Sequence, residues 1–277
     1  MPQPFVHNPI GKPFIELQSV DSTNNYARSL LHEGMAEHGL TVFAHDQFAG
    51  KAQRGKAWST EKDTNIVLSI VVNALPLQLS KQFELSACIA VAVYKFFVKY
   101  AGENIKIKWP NDLYCLDRKA GGILIENIVI GNTDNPRPMV DGSEQSMTGN
   151  QQSWRWAIVG IGININQTNF SSGLLNPISL KQITGQHFDI IDLAKELCGI
   201  INVCFEKLIA KGFNDIYAQY LTHLYKKNET VRLKKGSRVF EAIIKTVSLS
   251  GQLIVQHGIE ETFEFGEIEW VKEVKES

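Results

Sequence analysis

Apolar positions recur along the chain in two rhythms, and the switches between them mark out its elements. Residues 40–46 ("LTVFAHD") and 65–72 ("NIVLSIVV") are short, rich in β-branched side chains and bounded by polar turns, which predicts two strands. "GGILIEN" (121–127) and "WAIVGIGININ" (156–166) read as buried strands too, and "NIKIKWPNDLY" (104–114) as a short alternating strand stopped by Pro110. Helical spacing governs "DSTNNYARSLLHEG" (21–34), where Tyr26 and Leu30 share a face with Ala27 and Leu31. Asp21 and Ser22 are cap-type residues there and Gly34 is a stop. The stretch 80–102 stays apolar on most sides, as a central helix against a sheet would, with Ser80 expected as its cap. "DIIDLAKELCGIINVCFEKLIAKG" (189–212) and "NDIYAQYLTHLY" (214–225) continue the helical pattern.

From about residue 229 the texture changes to short strands separated by glycine-bearing turns, the pattern of a small all-β barrel. The expected organisation is a large domain over 1–228 and a small β domain over 229–277. Residues 131–153 contain almost no apolar anchor and are expected to form a mobile hairpin insertion.

Composition narrows the function classes. With 44 % hydrophobic and 21 % charged residues the chain is of ordinary globular type. A net charge of −1 excludes a general nucleic-acid coat and requires that any functional positive charge be local. No run approaches the ~18 apolar residues of a membrane helix, and the proline-containing N-terminus is not a secretory leader. Cys88, Cys115, Cys198 and Cys204 form no CxxC pair and the seven histidines are scattered, which speaks against zinc and for reduced thiols in a cytoplasmic protein.

The candidate chemistry begins in "AGKAQRGKAWST" (49–60), between the first two strands. Gly50 and Gly55 free the loop, Lys51, Arg54 and Lys56 can face an anion, and Trp58 offers a flat surface. A solvated turn is the alternative. It is neither a Walker loop nor a GxGxxG turn. In "KWPNDLY", Asn111 and Asp112 follow the strand end, where Asp112 can hold Mg²⁺ against phosphate oxygens or simply help form a turn. "DRKAGGILIE" sets Lys119 before a diglycine that admits close approach, and "VGIGININ" puts Gly160 and Gly162 inside a β-branched strand, followed by Asn164.

In this order, "DSTN", "Q-x-AGK-x-QRG-x-x-W", "KWPNDLY", "RKAGGILIE" and "GIGININ" resemble the biotin–protein ligase family, over about residues 17–166 and loosely over 230–270. The resemblance implies an α+β fold: a mixed sheet with packing helices, of the class II aminoacyl-tRNA synthetase and biotin synthetase type, plus a C-terminal SH3-like barrel. It implies ATP and biotin as substrates, Mg²⁺, and transfer of a biotinyl group from biotinyl-5′-AMP to one lysine of a biotin carboxyl carrier protein. Carried over by motif, Ser22, Thr23, Asn24 and Gln47 line the biotin end, joined by Gly122 and by Gly50, Lys51, Ala52 and Gln53 of the lid. Arg54, Trp58, Asn111, Gly162 and Asn164 serve the adenylate, Asn164 at the adenine. Asp112 serves metal and phosphate, and Lys119 the biotin carboxylate or the α-phosphate, with Lys119, Arg54 and Asp112 as the catalytic set.

The chain departs from the family where Gly-Arg-Gly-Arg is common and Gly50-Lys51-Ala52-Gln53 stands, since lysine keeps the charge without the bidentate fork. The insertion over 131–153 is a further departure. With about 16 residues before "FIELQSV", no DNA-binding domain is expected, and neither DNA nor membrane is an expected partner; a homodimer is compatible with the resemblance. Rival readings are a lipoate ligase or octanoyltransferase, a catalytically silent adenylate sensor, and a nucleic-acid module. The last is disfavoured by the acidic "EETFEFGEIEW".

Overall fold

The computed structural model describes residues 8–75, 77–130, 153–171 and 176–271. The strands expected from the pattern are present, with the stretch 104–114 divided into two and one more strand ahead of them: β1 (Phe14–Leu17), β2 (Thr41–Ala44), β3 (Ile66–Asn73), β4 (Ile105–Lys108), β5 (Asp112–Cys115), β6 (Arg118–Ile130) and β7 (Ser153–Ile163). They form one seven-stranded sheet in the order β1-β2-β3-β7-β6-β5-β4. Only β1 and β2 pair in parallel; the remaining neighbours are antiparallel. β3, with seven of its eight residues buried, lies between β2 and β7, which is why it reads as a continuous apolar run. Residues 131–152 of the expected insertion lie outside the described residues.

Among the described residues five α-helices accompany this sheet: α1 (Thr23–His32), α2 (Gln82–Ala101), α3 (Leu180–Thr184), α4 (Ile190–Lys211) and α5 (Asn214–Thr222). α2 is buried on most sides because it is packed among α4, α5 and the sheet, so its apolar residues do not form a single stripe. Ser80 is not its cap. The chain enters through a 3₁₀ turn, Leu79–Lys81, so Lys81 occupies the cap position and Glu84 carries the only acidic charge of the first turn. α3 and α4 are capped by side chains: Ser179 and Gln182 form a capping box, and Asp189 accepts from the backbone N–H groups of Ile191 and Asp192 at 2.9 Å.

Beyond α5 the strands β8 (Thr230–Lys235), β9 (Arg238–Val247), β10 (Leu253–His257), β11 (Ile259–Phe263) and β12 (Glu269–Trp270) build a second, antiparallel sheet in the order β11-β10-β9-β8-β12. The two sheets share one apolar core that includes Phe83 and Tyr220 on one side and Leu233, Val247 and Phe263 on the other. Polar bonds cross the same boundary. The Trp109 indole N–H donates to Gly251 O at 2.8 Å, and the Tyr217 hydroxyl donates to Val247 O at 2.5 Å. The small sheet is therefore held against the hairpin between β4 and β5, where three residues, Trp109 to Asn111, turn the chain. No helix among the described residues is long and apolar enough to cross a membrane.

Candidate active site

A cavity of about 310 Å³ opens where the small sheet meets the large one. One end is built from the first turn of α1. Ser22 stands at the N-cap in extended backbone, yet its side chain makes no capping bond, so the buried hydroxyl faces the cavity rather than the helix. Thr23 donates its backbone N–H to Gln47 Oε1 at 2.8 Å, and its hydroxyl lies 3.1 Å from the same oxygen. Ser69, on β3 behind them, places its Oγ 2.7 Å from Thr23 Oγ1 and 2.5 Å from Asn24 Oδ1. Because a hydroxyl has one proton and a carboxamide oxygen only accepts, Ser69 donates to Asn24.

Two glycines let this wall close up. A Cβ at position 160 would lie 2.4 Å from Asn24 Oδ1, and one at position 162 would lie 2.4 Å from Trp58 Cε2. The Trp58 ring therefore rests directly on the β7 backbone, with its buried Nε1 making no hydrogen bond among the described residues. Glycine inside this strand gives up side-chain packing in return for that close approach.

The centre of the cavity is an ion pair across β5 and β6. Lys119 Nζ lies 2.7 Å from Asp112 Oδ1, with both side chains 28 % exposed. At that exposure the pair contributes roughly 0–1 kcal/mol, so a bound anion can displace it cheaply. The backbone of Lys119 is clamped by the segment that begins at Asn176: its N–H donates to Asn176 O, and its carbonyl accepts from Ile178 N, each at 2.9 Å. Lys51, Arg54, Lys56 and Lys108 join Lys119 around the cavity against the carboxylates of Asp112 and Glu269, which makes it receptive to polyanions. Lys108 Nζ lies 4.5 Å from the centre of the Tyr114 ring and 4.6 Å from that of Trp270. Burial, then the Asp112 charge, pushes the Tyr114 phenol well above its ordinary range, so it stays neutral.

The basic loop spans the cavity as a closed hairpin. Trp58 N donates to Gly50 O at 2.9 Å and Ala52 N to Lys56 O at 2.7 Å, around a 3₁₀ turn, Gln53–Gly55, with Arg54 in left-handed backbone. Three side chains anchor it. Lys51 Nζ donates to Asn25 Oδ1 of α1 at 2.5 Å, and Arg54 reaches Glu269 of the small sheet at 3.4 Å, its guanidinium lying over the Phe265 ring. Between them Gln53 Nε2 donates to Asn111 Oδ1 at 2.5 Å and to Ile123 O at 3.2 Å.

The residues singled out from the sequence fall into two groups. Ser22, Thr23, Asn24, Gln47, Lys51, Ala52, Gln53, Arg54, Trp58, Asp112, Lys119, Gly122 and Gly162 are brought together around one cavity. Gly50, Asn111 and Asn164 stand behind its wall. The Asn164 amide donates to the carbonyls of Lys119 (3.4 Å) and Ile178 (3.2 Å), so it braces the Lys119 turn. Asn111 donates to Ile123 O at 2.9 Å and receives Gln53, which makes it the seat of the lid. Arg54 lines the cavity from the lid's 3₁₀ turn, while its guanidinium reaches Glu269 and lies over the Phe265 ring.

Sequence reasoning passed over Ser69, Arg28, Lys108, Tyr114, Glu126, Phe265 and Trp270. A lone serine inside "IVLSIVV" and a lone carboxylate ending "GGILIE" were the signals for Ser69 and Glu126. Nothing in the sequence pointed to Phe265 and Trp270, which reach the cavity from the far end of the chain.

Among the described residues no group of three acidic, histidine or cysteine side chains is placed to hold a metal ion by itself. Asp112, paired with Lys119, is the carboxylate in the anion-receptive centre, with Glu269 on the cavity wall beyond it. Mg²⁺ commonly takes one or two carboxylates together with substrate phosphates, and the donor set is compatible with that mode.

The model of the biotin/lipoate A/B protein ligase family matches residues 16–136. The bifunctional ligase/repressor BirA of Bacillus spizizenii is 29 % identical over 218 residues, covering 77 % of this chain and 56 % of the relative. The chain thus spans little more than half the length of that relative. The biotin–[acetyl-CoA-carboxylase] ligase of Paracoccus denitrificans is 25 % identical over 246 residues, covering 87 % of this chain and 92 % of the relative. Among solved structures, biotin protein ligase from Aquifex aeolicus in complex with biotin and ATP superposes with a TM-score of 0.73 at 21 % identity, covering 94 % of this chain and 99 % of that one. That likeness establishes the fold: a mixed seven-stranded sheet with packing helices and a C-terminal five-stranded antiparallel sheet.

Proposed function

We propose, from the premise that this chain belongs to the biotin/lipoate A/B protein ligase family, that it is a biotin–protein ligase. It activates biotin with ATP to biotinyl-5′-AMP and transfers the biotinyl group to one lysine of a biotin carboxyl carrier protein, in the cytoplasm. The observation that carries the reading is the joining of two chemistries in one cavity. A hydroxyl- and amide-lined end (Ser22, Thr23, Asn24, Gln47) suits a small polar ring with N–H and C=O groups, and it leads into a cationic centre at Lys119.

In the first half-reaction the carboxylate oxygen of biotin attacks the α-phosphorus of ATP and pyrophosphate leaves. Carboxylate and triphosphate repel each other, and the Lys119 ammonium lies where both meet. It can leave Asp112 for the developing charge on the α-phosphate, supplying stabilisation aimed at the transition state. Lys51 and Lys108 lower the cost of assembling the anions on either side. Asp112 is the residue that would hold Mg²⁺, which when bound supplies screening of the phosphate oxygens. The hairpin 50–56, seated through Gln53 on Asn111, covers a mixed anhydride that water would otherwise hydrolyse. In the second half-reaction the neutral ε-amine of the carrier lysine attacks the biotinyl carbonyl carbon. The C–N bond forms, the C–O bond to phosphate breaks, AMP leaves with the electron pair and the ammonium proton goes to solvent.

Biotin-dependent exchange of labelled pyrophosphate into ATP tests the first half-reaction. Exchange with biotin and none with lipoate supports the reading. Exchange with lipoate alone would move the chain to the lipoate branch, and no exchange with either would leave a binding protein.

A further inference from the structure

Glu126 lies outside the cavity on β6, but it is tied to the cavity wall. Its Oε2 accepts from Asn24 Nδ2 at 2.7 Å and its Oε1 from the Arg28 guanidinium at 2.8 Å. Asn24 is buried, and its other end, Oδ1, accepts from Ser69 at 2.5 Å over the bare backbone of Gly160. A carboxamide is nearly symmetric in shape, so which end faces which neighbour is decided by hydrogen bonding alone. We infer that Glu126 is a positioning and specificity-determining residue that fixes the Asn24 carboxamide with its oxygen toward the ligand end of the cavity.

Donor and acceptor counts decide the orientation. A carboxylate accepts only, so the NH₂ end of Asn24 must face Glu126 and the oxygen must face Ser69. That orientation uses the Ser69 proton and leaves the Ser69 oxygen to accept the single Thr23 hydroxyl proton, at 2.7 Å. The Gln47 oxygen is held in turn by the Thr23 backbone N–H. Five residues thus adopt one consistent pattern, beginning at Glu126. The wall it produces presents acceptors, which suits a ligand ring bearing N–H donors. With Asn24 flipped, the wall would present N–H to N–H.

Arg28 gives the inference a sign-specific test, which rests on the proposed biotin reading. In Glu126→Gln the new amide turns its oxygen to the Arg28 donor and its NH₂ to Asn24, which forces the flip. Adding Arg28→Ala removes that bias and lets the introduced carboxamide offer its oxygen to Asn24 again. Calorimetric titration of biotin into the full chain, with steady-state kinetics alongside, is expected to show biotin binding about tenfold weaker in Glu126→Gln. The KM for ATP and the kcat at saturating biotin should stay within about threefold of wild type. The Glu126→Gln/Arg28→Ala double variant should regain most of the lost affinity, whereas a residue that merely stabilised the fold would lose more with each substitution. Wild-type affinity in Glu126→Gln, a fall in kcat at unchanged KM for biotin, or a double variant weaker than the single one would overturn the inference. Failure of the wild-type protein to bind biotin would instead remove the functional reading on which it rests.

Discussion

Gly162→Ala is the substitution whose effect follows most directly from distances. A Cβ at this position would sit 2.4 Å from Trp58 Cε2, 2.6 Å from Cζ2 and 2.7 Å from Nε1. Carbon atoms pack at about 3.5–4.0 Å, so the indole must retreat by roughly 1 Å into the cavity. It cannot do so alone, because Trp58 N closes the lid hairpin through its 2.9 Å bond to Gly50 O. Overpacking of this kind costs about 1–3 kcal/mol, or roughly 2–10 °C in Tm for a chain of this size. A displacement of about 1 Å beside the reacting groups costs on the order of 10²-fold in rate. Thermal unfolding and biotin-dependent pyrophosphate exchange measure the two effects separately. In a Trp58→Gly background the same alanine should have almost no further effect, since the clash partner is gone. Wild-type exchange and an unchanged Tm in the single variant would refute the packing of Trp58 on β7.

Lys119→Ala should leave the fold intact and lower the kcat of adenylate formation by ~10²-fold or more, because the lysine neutralises charge chiefly in the transition state; rapid-quench measurement of the adenylate reads this directly. Gln53→Ala removes the two bonds by which this residue ties the lid to Asn111 and Ile123 and should let the adenylate escape ~10–100-fold faster, seen as biotin label on bystander serum albumin, with Arg54→Ala leaking less because its partner Glu269 is largely exposed. His45 hydrogen-bonds Glu16 at 2.7 Å and Asp63 at 2.6 Å, which raises its pKa against the opposing effect of burial. A raised histidine pKa stabilises the fold fully below the unfolded value of about 6.5 and loses that contribution as pH climbs through the folded value. The Tm gap between wild type and His45→Gln should therefore be wide at pH 6 and narrow at pH 9.

The elements that residue pattern reveals are those whose surroundings are local. The β-branched run of β3 and the long apolar α2 could be read because burial on both sides leaves no other composition open to them. Ser80 looked like a cap, but it lies inside the 3₁₀ turn Leu79–Lys81, which moves the cap one residue onward to Lys81. In the site, glycines were legible as close approaches, though not what approached: Asn24 at Gly160 and Trp58 at Gly162. Asn111 and Asn164 were recognisable as polar residues near a site. Their amides are satisfied by backbone carbonyls that only the folded strands bring near, so they brace Lys119 and the lid from behind. The Lys108–Trp270 contact joins residues from two different sheets, and no spacing along the chain encodes it.

Mass spectrometry of a biotin carrier domain, after incubation with the protein, ATP, Mg²⁺ and biotin, tests the proposed activity as a whole. The expected result is the addition of one biotinyl group to a single carrier lysine, lost when ATP or biotin is omitted and strongly reduced with Lys119→Ala. An unmodified carrier, under conditions where an established ligase labels it, would contradict the proposed activity.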